Sequence, residues 1–83
     1  MKILIADDMI SIRQVMSHML KSIGYDDNDE AVDGEQAFRM LMAKKYDLLI
    51  TDFHMPKLDG KQLLEKIRNE ESLSKLPVLM VSC

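Results

Sequence analysis

The chain has a single cysteine, Cys83, among 83 residues. One thiol excludes an internal disulfide framework and a cysteine-rich zinc site. A basic excess is also missing. Eleven Lys and Arg stand against fourteen Asp and Glu, a formal net charge of −3, which argues against a non-specific nucleic-acid binder. No apolar run reaches the ~18 residues of a helical membrane span, so no membrane partner is expected. The opening Met1-Lys2-Ile3-Leu4-Ile5-Ala6-Asp7-Asp8 turns acidic too early for a signal peptide, and a cytoplasmic setting is expected. What remains is an ordinary globular composition, 47% hydrophobic and 30% charged, which a disordered chain does not have. The length allows one small domain, near the lower limit for a self-sufficient core.

Short apolar runs alternate with helical stripes. Ile3-Leu4-Ile5-Ala6, bounded by Asp7-Asp8, reads as a strand buried on both faces. Ile12, Val15, Met16, Met19, Leu20 and Ile23 form a helical stripe that Gly24 stops, with Ser11 and Gln14 spaced as a capping box. Asp26–Ala31 is polar and is expected to be a weak edge strand. Asp33 is placed to cap a second helix carrying Ala37, Phe38, Leu41 and Met42. Asp47–Asp52 is a second buried strand. Met55–Gly60 reads as a loop, marked by Pro56 and Gly60, and Leu63, Leu64 and Ile67 mark a third helix. Pro77 blocks helix ahead of Val78–Val81, the last buried strand, which ends at Ser82. The order β-α-β-α-β-α-β predicts an α/β fold, a parallel sheet wound on both faces by right-handed crossovers.

In such sheets reactive side chains gather beyond the carboxyl ends of the strands. Those ends deliver Asp7 and Asp8, Asp52, and Ser82. Three carboxylates crowded together cannot all stay ionised without help. A hard divalent cation such as Mg²⁺, which prefers oxygen ligands, supplies that help. Single strand-end aspartates often only cap the next helix; three at one edge, with a hydroxyl beside them, point to a site.

These pieces resemble the receiver domain of two-component response regulators, especially the single-domain chemotaxis type. The matching residues are Asp7-Asp8, the Asp33-Gly34 step, Asp52 with Met55-Pro56 and Asp59-Gly60, and Leu76-Pro77-Val78-Leu79-Met80-Val81-Ser82. The resemblance implies that residues 1–83 are one partial receiver domain with a flavodoxin-like, doubly wound parallel sheet. It implies that Asp52 is the phosphoacceptor, taking a phosphoryl group from a histidine kinase in a Mg²⁺-dependent transfer. It implies that Asp7, Asp8, Asp52 and the backbone carbonyl of His54 hold the Mg²⁺, and that Ser82 is the switch hydroxyl. On this basis the chain is expected to be a phosphorelay component and not an enzyme.

The family's sheet has a fifth strand, in the order 2-1-3-4-5. This sequence is expected to reach only the end of the fourth, without the last two helices, the fifth strand or the lysine that ends it. Val78–Val81 then becomes an exposed edge, and a homodimer or domain-swapped oligomer through that edge is expected. The alternative function is a truncated receiver that only dimerises or binds partners. A phosphatase of the haloacid dehalogenase type is set aside, because it needs an aspartate where His54 stands.

Several residues invite a plainer reading. Arg13 is expected to be a surface arginine and His18 a solvated one. Most of the eight methionines, including Met16, Met19 and Met42, are expected to pack in the core. Lys57 lies five residues past Asp52 in the loop, and it is not expected to stand in for the missing lysine at the phosphate.

Overall fold

A computed structural model describes residues 1–81. The elements are β1 (Lys2–Ala6), α1 (Ile10–Ser22), β2 (Asp27–Ala31), α2 (Gly34–Ala43), β3 (Leu48–Asp52), α3 (Gly60–Asn69), a short 3-10 turn (Glu71–Leu73) and β4 (Val78–Val81). The four strands form one sheet in the order β2-β1-β3-β4, and every pairing is parallel. This is the flavodoxin-like order as far as four strands can show it.

Strand alternation sends side chains to two cores. Ile3, Ile5 and Ile50 face α1, where Met16, Leu20, Leu48 and Val81 pack on them. Leu4, Ala6 and Leu49 face the other way, against Ala37 and Leu41 of α2 and Leu63 and Ile67 of α3. β1 and β3 are buried on both faces because each lies between two strands and two helical layers.

The helix starts are set by side chains. Asp33 caps α2, accepting from the Gln36 amide at 2.7 Å, while the Gln36 side chain accepts from the Val32 amide at 2.7 Å. Asp59 caps α3 in a full capping box with Gln62. The turn chemistry of Asp59-Gly60 therefore marks a helix start.

α1 departs from expectation in three ways. Its cap residue is Met9, with no side-chain cap, so Ser11 and Gln14 form no box. The Asp7 carboxylate accepts from the Met9 amide at 2.9 Å and turns the chain straight into the helix at Ile10. Among the described residues α1 packs chiefly on the sheet, so its contact face is narrower than its apolar stripe. Val15, Met19 and Ile23 are therefore exposed, Met16 is half-buried, and Met42 of α2 is also exposed. Of the methionines only Met55 is fully in the core. Lastly, Arg13 is the one buried residue of α1. His18 is solvent-exposed, as expected.

β2 is the polar edge, and polar contacts hold it. Lys2 on β1 bridges Asp27 at 3.0 Å and Asp29 at 3.5 Å. The buried Tyr46 donates its hydroxyl to Asp29 at 2.6 Å, and Lys44 reaches the same carboxylate at 3.5 Å. Asp29 is held below the ordinary carboxylate range, first by the Tyr46 hydroxyl and then by Lys2 and Lys44. A depressed carboxylate contributes stability that is present above its unfolded pKa and lost as pH falls through the folded one. Tyr46→Phe is expected to cost about 1 kcal/mol in urea unfolding near neutral pH. The gap to the parent chain is expected to narrow as pH falls below the ordinary carboxylate range, where Asp29 takes up its proton. A gap that stays constant through that range would contradict the assignment.

Candidate functional site

The site forms where β1 and β3 end side by side. Ala6 pairs with Thr51 in the parallel register, so Asp7 and Asp52 leave the sheet at the same level. Asp7 continues the ladder through its amide to the Ala31 carbonyl at 3.1 Å, and its side chain is buried. Asp8 is exposed and Asp52 half-buried. One oxygen from each of Asp7, Asp8 and Asp52 lies within 4.8 Å of the others. The three carboxylates that the sequence singled out are thus brought together.

Burial pushes the Asp7 carboxyl above its usual range, and the charges of Asp52 and Asp8 push the same way. The Met9 amide and the Arg13 guanidinium act against them. A cluster that repels itself in this way gains from a cation. The donor set fits one, because all three ligands are carboxylate oxygens. Opposite ligands of an octahedral Mg²⁺ stand about 4 Å apart, close to the span of this cluster. Beside it opens a cleft of about 400 Å³ lined by Asp8, His54, Met55, Pro56 and Asp59. A larger cleft of about 880 Å³ lies at the opposite edge of the sheet, around Tyr46, Ser72 and Pro77, away from the carboxylates.

The backbone around Asp52 is fixed by α3. The Gly60 amide donates to the Phe53 carbonyl at 2.7 Å, and the Phe53 amide to Val81 at 3.1 Å. A Cβ on Gly60 would stand 2.6 Å from both the Asp52 carbonyl oxygen and the Met80 sulfur. The helix start can lie on the Asp52–Phe53 peptide only because position 60 has no side chain. Two residues before Gly60, the Leu58 backbone is approached as closely by Gly34 at the start of α2. Lys57, at φ 69°, extends toward Asp33, with Nζ to Oδ2 at 3.7 Å. It is engaged with the α2 cap, so it is not a free cation directed at Asp52.

The His54 imidazole is exposed and meets the Phe53 ring edge-on, with centroids 5.0 Å apart. Ser82, the expected switch hydroxyl, lies outside the described residues, as does Cys83. Sequence reasoning missed Arg13, whose Nη1 donates to the Asp7 carbonyl at 2.7 Å and whose Nε donates to Glu30 at 2.9 Å. The signal was present, since Arg13, Met16 and Leu20 recur at helical spacing and share the face toward the sheet.

The model of the response regulator receiver domain matches residues 3–83. The chain belongs to this family. It is 42% identical over 82 residues to chemotaxis protein CheY-3 of Vibrio cholerae, covering 99% of this chain and 63% of that protein. It is 43% identical over 82 residues to chemotaxis protein CheY of Pseudomonas aeruginosa, covering 66% of it. Among solved structures, the chemotaxis response regulator CheY4 of Vibrio cholerae superposes with a TM-score of 0.89 at 35% identity, over 95% of this chain and 65% of that one. A signal receiver domain of a histidine kinase from Syntrophus aciditrophicus gives 0.92 at 30% identity, over 96% and 60%. The chain therefore spans slightly under two thirds of the length of these relatives.

The family match corrects one expectation. Receiver domains are phosphoacceptors, so membership gives no support to classing the chain as a non-enzyme, and that classification is withdrawn.

Gly60→Ala is expected to lower stability by about 1–3 kcal/mol, the usual cost of overpacking. Alanine's better helix propensity, worth about 1 kcal/mol, acts in the opposite direction. Urea unfolding measures the net sign, and a stabilised variant would show that the close approach at Asp52 is not required.

Proposed function

We propose that the chain is a phosphoacceptor of two-component signalling, in which Asp52 receives a phosphoryl group from a phosphohistidine of a histidine kinase. The observation that carries this reading is the convergence of Asp7, Asp8 and Asp52 at one sheet edge, in a chain of the receiver family. Asp52 presents a half-buried carboxylate at the end of β3. One of its oxygens forms the new bond to phosphorus while the phosphorus–nitrogen bond of the donor breaks and its electron pair returns to the imidazole. In this reading Asp7, Asp8, Asp52 and the His54 backbone carbonyl hold Mg²⁺, and Ser82 supplies the switch hydroxyl. The bound ion would neutralise charge on the phosphoryl oxygens. Asp7 keeps its geometry through the Met9 amide, and the cleft by His54 and Pro56 gives the donor access. Residues 1–83 act as one unit in a cytoplasmic phosphorelay, and the chemotaxis relatives make a motility pathway the natural setting.

The test is to treat the chain with acetyl phosphate and Mg²⁺, trap the adduct with borohydride and map it by mass spectrometry. Label is expected on Asp52 and absent in Asp52→Asn. Asp8→Ala or removal of Mg²⁺ is expected to slow labelling on the order of a hundredfold. Label on His54 or Ser82 with Asp52 untouched would refute the assignment.

A second reading, self-association, is favoured by β4. Among the described residues it is an edge strand, and Leu79 is 52% exposed on it. An apolar edge with free backbone groups is a template for pairing. A homodimer, or exchange of elements between copies, through Val78–Val81 would cover it. Sedimentation equilibrium at micromolar concentration is expected to show a dimer that Leu79→Lys dissociates. A stable monomer, or a dimer indifferent to that change, would remove this reading.

A further inference from the structure

Arg13 is 8% exposed, and it is the only side chain that α1 fully buries. Its neighbours on the same helix face, Met16 and Leu20, are apolar and pack on the sheet. An apolar residue at position 13 would suit that face, and a buried cation costs desolvation unless its donors are satisfied. Here they are. Nη1 donates to the backbone carbonyl of Asp7 at 2.7 Å, and Nε donates to the Glu30 carboxylate at 2.9 Å. Glu30 lies on β2, paired in register with Ile5 of β1. The guanidinium thus joins three elements, α1, β2 and the end of β1, at the residue that opens the acidic pair.

We infer that Arg13 is a positioning residue for the acidic pair, which it holds in place from the edge strand through Glu30. The Asp7 carbonyl and the Asp8 amide belong to one rigid peptide plane. Fixing the carbonyl from the α1 side, while the Asp7 amide is fixed on Ala31 at 3.1 Å, sets the direction in which the chain reaches Asp8. The Asp7 side chain is held separately by the Met9 amide. The exposed Asp8 has no such hold of its own among the described hydrogen bonds, so the plane that precedes it determines where its carboxylate starts. Both donors of the guanidinium that are engaged point at the Asp7 carbonyl and Glu30, which leaves the three carboxylates open to a metal. Supporting groups of this kind typically change metal affinity by about 10–100-fold when removed.

This inference rests on the metal reading of the site, and charge makes the two roles of Arg13 separable. If the guanidinium acted only as a nearby positive charge, its removal would raise divalent affinity. If it acted only as packing, its removal would leave the affinity of the folded chain unchanged. A positioning role requires affinity to fall despite the lost positive charge.

The experiment titrates Mg²⁺ alone into the 83-residue chain, followed by backbone amide shifts, with urea unfolding recorded in parallel. Arg13→Met keeps the aliphatic bulk and is expected to weaken Mg²⁺ binding by about tenfold. Arg13→Lys restores the charge without the planar fork and is expected to fall between the two. Glu30→Asp keeps the charge and shortens the reach, on a residue exposed enough to tolerate change, and is expected to lose affinity a few-fold on the same basis. Affinity equal to or above the parent in folded Arg13→Met overturns the inference. Should Arg13→Met not fold, an unchanged Glu30→Asp overturns it. The metal-free arm is the carbonyl resonance of Asp7 and the amide of Asp8, which are expected to move in Arg13→Met and, less, in Glu30→Asp. If the parent binds no Mg²⁺, the metal reading falls, and the inference is then decided by this arm: no movement at Asp7 and Asp8 overturns it.

Discussion

Parallel pairing is the constraint on which everything else in this molecule depends. It gives every strand the same polarity, so the carboxyl ends of β1, β3 and β4 lie on one edge of the sheet. Asp7 and Asp52, far apart in the sequence, become neighbours for no reason beyond register, since Ala6 and Thr51 pair and the next residue on each strand is acidic. The hydrophobic cores exist to keep that register. Ile3, Ile5 and Leu4 are sealed between layers, and a slip of one residue would exchange the two faces of β1. Fold stability and site geometry are therefore the same interaction described at two distances.

The polar edge strand shows how this sheet economises. β2 offers one buried apolar residue, Ala31. Its carboxylates are tied down, Asp27 and Asp29 by Lys2, Tyr46 and Lys44 at one end and Glu30 by Arg13 at the other. The two ends differ in kind. At Asp29 the contacts are between side chains and hold strand to strand. At Glu30 the contact passes through a buried guanidinium to a main-chain carbonyl beside the acidic pair. A strand that reads as weak by composition is thus joined both to the sheet and to the site.

Most of this was legible in the sequence, because the relevant signals are local. Buried strands announce themselves as short apolar runs, the Asp33 cap by its residue type, and the acidic edge by aspartates that follow such runs. What escaped depended on the third dimension. Ser11 and Gln14 have the spacing of a cap, but the Asp7 carboxylate had already turned the chain into helix at Ile10. Met19 and Met42 have the spacing of core residues, but their helices are covered on too few sides to bury them. Arg13 looked like surface because charge usually is, although its helical phase pointed inward. The closeness of Gly60 to Asp52 follows from a helix packing on a strand end, which no spacing encodes.

That closeness decides where the chain is free to vary. At the contact of Gly60 with the Asp52 carbonyl and the Met80 sulfur, one partner is bare backbone and another is a flexible thioether. A long, pliable side chain such as methionine can re-form its packing after neighbours change; a peptide plane cannot. Position 80 can therefore wander through residues of similar bulk while the Asp52 backbone stays still, whereas position 60 is confined to the residue it has. A survey of drifted descendants of this sequence would find the record of the acidic site written as strictly in a glycine without chemistry of its own as in the aspartate beneath it.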